Sequence, residues 1–126
     1  MFRFEKLEVW HKAIDLADRI YEVTRQFPPD ERFGLTSQMR RASVSISSNI
    51  AEGSGRSTNK EFVRFIEIAY GSVLEVVSQL EIASRLSFTE DEMRKDLYQR
   101  AEELARMLSG LKASLLRQEH SGHKSR

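Results

Sequence analysis

The sequence predicts an all-α fold, an antiparallel up-down four-helix bundle. Three observations carry that prediction. Four segments repeat apolar residues at three- and four-residue intervals. Each segment is bounded by helix punctuation, and the connections between them are short. No segment alternates with period two, so no strand is expected.

The first helix is expected from about Glu5 to Phe27. Trp10, Ile14, Ala17, Tyr21 and Thr24 recur at 4-3-4-3 spacing, which places them on one face. Pro28 and Pro29 end it, because proline cannot donate the helix hydrogen bond. The second helix is expected from about Leu35 to Ala51, with Leu35, Met39, Ala42, Ile46 and Ile50 sharing a face. Gly53 stands where a left-handed C-cap is wanted. Ala42, Ser43, Ser45, Ser47, Ser48 and Ala51 make this helix rich in small side chains. Serine is a middling helix former, so the run points to a second helix that comes close.

The third helix is expected from about Asn59 to Leu86, opened by the capping-box pattern Thr58-x-x-Glu61. Phe62, Ile66, Ala69, Val73, Val77 and Leu80 form its main stripe. Phe65, Ile68, Val76, Ala83 and Leu86 add apolar surface on the adjoining face. That arc is wider than one buried stripe needs, which predicts a central position or contact with another subunit. The fourth helix is expected from about Glu90 to Arg117, opened by Thr89-x-x-Glu92. Met93, Leu97, Leu104, Leu108, Leu111 and Leu115 form its stripe. The bundle thus spans residues 1–118, and 119–126 form a polar, frayed tail.

A chain of 126 residues, 40% apolar and 31% charged, suits one soluble domain. It has no cysteine, which excludes disulfides and thiol chemistry and fits a reducing compartment. The N-terminus lacks a signal-peptide core, and no apolar run is long enough for a membrane span. The expected location is the cytoplasm.

Chemistry-bearing motifs are few. His11 and Asp15 lie one turn apart, but no third ligand accompanies them, so a surface pair is expected and no metal site. His120 and His123 fall in the tail. The segment from Gly53 to Lys60 superficially resembles a phosphate loop, but it lacks the preceding strand and the Gly-Lys-Ser/Thr ending. It reads as helix stop, turn and helix start, with Arg56 and Lys60 placed to hold an anion weakly. Asn49 flanks the core stripe, where a hydrogen bond across helices is expected. No catalytic residues, metal or cofactor are expected, and the protein is read as a non-enzyme.

Charge is unevenly spread although the net charge is only +1. Residues 35–60 carry Arg40, Arg41, Arg56 and Lys60 against Glu52 alone. Arg40 and Arg41 diverge by about 100° on a helix. Arg56, Lys60 and Arg64 follow at four-residue spacings. A symmetric oligomer would repeat this surface and add its fields.

The stretch QMRRASVSISSNIAEG, from Gln38 to Gly53, resembles the signature of the bacterial 23S rRNA-intervening-sequence proteins. FEKLEVW, from Phe4 to Trp10, resembles the opening of that family. FIEIAYGSVLE, from Phe65 to Glu75, resembles its third-helix motif. The resemblance implies a four-helix bundle assembling as a ring-like homopentamer, with no established enzymatic activity. It is similar in fold to the accessory protein of diversity-generating retroelements, which binds nucleic acid and a reverse transcriptase. Asn49, Glu52, Gly53, Ser72 and Glu75 match the motif and are expected in packing or subunit contacts. Arg40 and Arg41 match its basic pair. Two functions stay open at this point. One is nucleic-acid binding, RNA or DNA, through Arg40, Arg41, Arg56, Lys60 and Arg64. The other is a scaffold whose oligomer recruits a protein partner.

Overall fold

Punctuation in the sequence sets most of the helix bounds. In the computed structural model, which describes the backbone of residues 1–124 and the side chains of 1–118, α1 spans Glu8–Thr24 and α2 spans Leu35–Ser54. Helix α3 spans Asn59–Arg85 and α4 spans Asp91–Lys124. Single 3-10 turns occupy Arg3–Lys6 and Pro29–Glu31, and the described residues contain no strand. No helix of the described residues is long and apolar enough to cross a membrane.

The helices form a closed square, α1 on α2, α2 on α3, α3 on α4 and α4 back on α1. Cross-helix pairs fix the antiparallel sense. Lys12 reaches Glu103 at 3.4 Å while Arg19 reaches Asp96 at 3.2 Å, so α4 descends as α1 ascends. Asn59, at the start of α3, donates to the Leu115 carbonyl near the end of α4 at 3.4 Å. The core between them is aliphatic: Leu16, Ile20, Met39, Ile46, Ile50, Ile66, Leu97, Leu104 and Leu108 are fully buried, with Phe62. Each such side chain contributes about 1.5–3 kcal/mol of burial free energy.

The expected stripe of α1 is off by one residue. The buried set is Val9, Ala13, Leu16, Ile20 and Val23, with Thr24. Of the expected set, Ile14 and Tyr21 are exposed, and Trp10 and Ala17 are only half-buried. Both sets have 4-3-4-3 spacing, so periodicity cannot choose between them. Packing chooses the slimmer aliphatic set, and Trp10 instead packs on Phe4 of the first 3-10 turn, ring centroids 4.9 Å apart. Helix α2 buries the expected face, together with Ser43 and Ser47. Those hydroxyls donate back to the Arg40 and Val44 carbonyls of their own helix, so burying them leaves no donor unpaired.

Three expected helix ends differ. Gly53 is not a left-handed cap: α2 runs through it, and no described glycine has a positive φ. Thr89 does not cap α4, which starts at Asp91, and the Thr89 hydroxyl is buried without a partner among the described residues. Thr58 does cap α3, accepting from the Glu61 N–H at 3.2 Å. Helix α4 continues beyond Arg117 to Lys124. The side chains of the expected tail, 119–126, including His120 and His123, lie outside the described residues.

The end of α3 carries local strain. Phe88 N–H donates to the Ala83 carbonyl at 2.9 Å and Ser87 N–H to Ser84 at 3.0 Å, a Schellman-type closure. Ser87 takes φ 62 to make it, the left-handed region that costs a residue with a side chain about 1–2 kcal/mol. Ser87→Gly is therefore expected to stabilise the protein by about 0.5–1 kcal/mol, read as a higher urea midpoint.

Candidate nucleic-acid interface

The turn between α1 and α2 sets an aromatic beside three arginines. Phe27 anchors the turn by burying itself against Phe88, centroids 5.4 Å apart. Pro29–Glu31 then makes its single 3-10 turn, and the Glu31 carboxylate accepts the Leu35 N–H at 3.1 Å, holding the first turn of α2. Between these fixed points Phe33 is left 87% exposed. It forms one wall of a surface groove with Tyr21, Arg32, Thr36, Ser37, Arg40, Arg41 and Val44. Three arginines and no carboxylate line that groove.

The arginines are held differently. Arg40 is a clamp: its Nε donates to Thr24 Oγ1 at 2.8 Å, and its guanidinium lies over the Tyr21 ring at 4.7 Å. Thr24 is buried, and its hydroxyl donates in turn to the Ile20 carbonyl at 2.7 Å. Arg32 lies 5.3 Å from the Phe33 centroid. Arg41 is exposed and makes no ion pair or side-chain hydrogen bond among the described residues. An anion entering the groove therefore meets one free guanidinium and two that are already oriented.

The five cations expected to act together separate into two groups. Arg40 and Arg41 lie in the groove, whereas Arg56, Lys60 and Arg64 lie at the opposite end of α2, on the order of 20 Å away at 1.5 Å rise per residue. Arg56 pairs with Glu52 at 3.0 Å and lies over the Phe65 ring at 4.5 Å. Lys60 and Arg64 are exposed. Arg32, Phe33 and Tyr21 were missing from the expected site. The available signal was an Arg-Phe-Gly in a loop, where an aromatic cannot belong to a helix stripe.

His11 has a structural task. Its Nε2–H donates to the Glu5 carbonyl at 2.7 Å, closing the N-terminal turn in place of the expected pairing with Asp15. Among the described residues no group of three or more His, Cys, Asp or Glu could hold a metal.

Residues 5–110 match the family described as 23S rRNA-intervening sequence protein. The chain belongs to this family. Its bundle is similar to the crystal structure of a protein of unknown function from the S23 ribosomal protein family of Bacteroides thetaiotaomicron. The two share 22% identity and a TM-score of 0.77, covering 82% of this chain and 97% of that one. That likeness speaks for the fold. No curated protein matches the chain.

In this member of the family, the motif residues gather on the α2–α3 side. Asn49 donates within its own helix, to the Ser45 carbonyl at 2.8 Å and its hydroxyl at 3.0 Å. The cross-helix link expected of Asn49 is made one step on, by Ser45 and Ser72 hydroxyls 2.9 Å apart. At Gly53 the two helices approach closely: a Cβ built there would lie 2.6 Å from Phe65 Cβ and 2.9 Å from Phe62 Cδ1. Glu75 is exposed, accepting from Gln79 at 3.3 Å. It lies on an outward stripe of α3 with Ile68, Gly71, Ser78 and Ile82, continued by the C-cap residue Leu86, all exposed. Ile68, Ile82 and Leu86 are 52%, 48% and 53% exposed. Of the adjoining apolar face expected on α3, Val76 and Ala83 are buried in the core, as a central position for the helix requires, whereas Ile68 and Leu86 stay outside.

Proposed function

We propose that this protein is a non-catalytic, cytoplasmic, oligomeric RNA-binding bundle, whose binding surface is the arginine groove between the end of α1 and the start of α2. The observation that carries this reading is the convergence of Arg32, Arg40 and Arg41 on a groove without a carboxylate. Arginine pairs with phosphate through two parallel hydrogen bonds, and neutralised phosphates release counterions. Such binding requires no acid–base pair. Arg56, Lys60 and Arg64 form a second, weaker contact area at the other end of α2.

The test is fluorescence anisotropy with a structured RNA at low and at physiological salt. Wild type is expected to bind with strong salt dependence, and Arg32→Glu/Arg41→Glu to weaken binding about 10-fold or more at low salt. Arg40 stays unchanged, because its loss would also remove the Thr24 clamp. Salt-independent binding, or a variant that binds like wild type, would reject the groove as the RNA surface.

A protein-recruiting scaffold is the second reading, favoured by the exposed apolar stripe on α3. We assign that stripe first to contacts between copies of this chain; five copies is the number that the family resemblance implies. Capture of a distinct protein partner that survives high salt, together with absent RNA binding, would make the scaffold reading the leading one.

A further inference from the structure

We infer that the groove selects unpaired RNA over duplex, with Phe33 as a stacking platform for one exposed base. The inference rests on the RNA-binding reading and adds to it the strand state of the ligand. Phe33 is a large apolar side chain left 87% exposed, on a turn held by the buried Phe27 before it and the Glu31 contact to Leu35 after it. The ring is therefore presented on an anchored segment. Arg41 lines the same groove without a side-chain partner among the described residues, and the Arg32 guanidinium lies over one face of the Phe33 ring, 5.3 Å from its centroid, so the opposite face is the one offered to a base.

This combination matches a nucleotide rather than a phosphate alone. A flat apolar surface accepts the face of a base, while adjacent guanidinium groups take the flanking phosphates. In a duplex the faces of the bases are already stacked on one another, so a duplex offers the groove only its phosphates. An unpaired strand offers both. The stacking contact is indifferent to base identity, since every base has a π-face; the expected preference is for strand state and not for sequence.

The test compares an oligoadenylate with a blunt RNA duplex of the same length, by anisotropy in the same buffer. Wild type is expected to bind the single strand more tightly. Phe33→Ala is expected to weaken single-strand binding about 10-fold and leave duplex binding within about twofold. Phe33→Tyr, which keeps the ring, is expected to restore it. Light scattering on each variant separates a base contact from a subunit contact. If Phe33→Ala weakens both ligands equally, weakens neither, or changes the mass of the oligomer, the stacking role is overturned. The RNA-binding reading survives that result provided that Arg32→Glu/Arg41→Glu still removes binding. If wild type binds neither ligand, both fall together.

Discussion

Gly53→Ala is expected to destabilise the bundle by about 2–3 kcal/mol, although it adds only one methyl group. On an isolated helix the same change stabilises by roughly 0.5–1 kcal/mol, because alanine loses less backbone entropy than glycine. Geometry reverses the sign. The new Cβ would lie 2.6 Å from Phe65 Cβ, an atom tied directly to the backbone of α3, so the two helices must move apart to make room. The Phe62 ring atom at 2.9 Å is the more forgiving neighbour. Phe62→Leu in the Gly53→Ala background should therefore recover only part of the loss. The measurement is the urea midpoint with the slope held constant, and Gly110→Ala serves as the reference. Gly110 has nothing within 4 Å of its built Cβ, so alanine there should raise the midpoint. Equal stability of Gly53→Ala and wild type would rule out the close approach of α2 and α3.

The second large effect concerns assembly. Ile68→Glu/Ile82→Glu is expected to convert the proposed oligomer to monomers of 14.6 kDa while leaving helicity intact, as read by light scattering and circular dichroism. Neither side chain contributes to the core, since each is about half exposed in the single chain. Placing charges in a desolvated contact between subunits would cost several kcal/mol per buried charge. Gly71, on the same stripe, gives an independent reading through the sign of its effect. Its built Cβ meets nothing within 4 Å in the single chain, so Gly71→Ala should behave like Gly110→Ala if the stripe faces solvent. If another copy packs there closely, Gly71→Ala weakens assembly while Gly110→Ala does not. Wild type that runs as a monomer at micromolar concentration would reject the assembly outright.

The α3 stripe also shows how far the sequence reached. The expectation of surplus apolar surface on α3 rested on Phe65, Ile68, Val76, Ala83 and Leu86. Packing takes Val76 and Ala83 into the core and leaves Ile68 and Leu86 outside. Ile82 joins them outside, and the sequence reading did not single it out. The surplus was legible; its membership was not, because neighbouring positions on a helix differ by about 100° and a broad arc has no marked edge. The candidate groove shows the same limit. Arg40 and Arg41 are adjacent in sequence and reach the same groove, yet one is held by Thr24 and the other is free. Arg56, Lys60 and Arg64 are near in sequence to that pair but lie at the other end of a long helix, since contiguity along a rigid rod becomes distance in space.

By itself the sequence determined the number of helices, their order, their approximate bounds and the buried faces of α2 and α4. Those follow from local periodicity and punctuation, which act within a few turns of the chain. Only the tertiary structure decided which of the two equivalent stripes of α1 faces inward. It also decided that Gly53 serves helix contact rather than helix ending, and that Phe33 stands beside arginines from another element. Each of these depends on what a neighbouring helix presents at contact distance, Phe62 and Phe65 against Gly53 or Arg40 against Tyr21. Such contacts join residues whose separation along the chain carries no period.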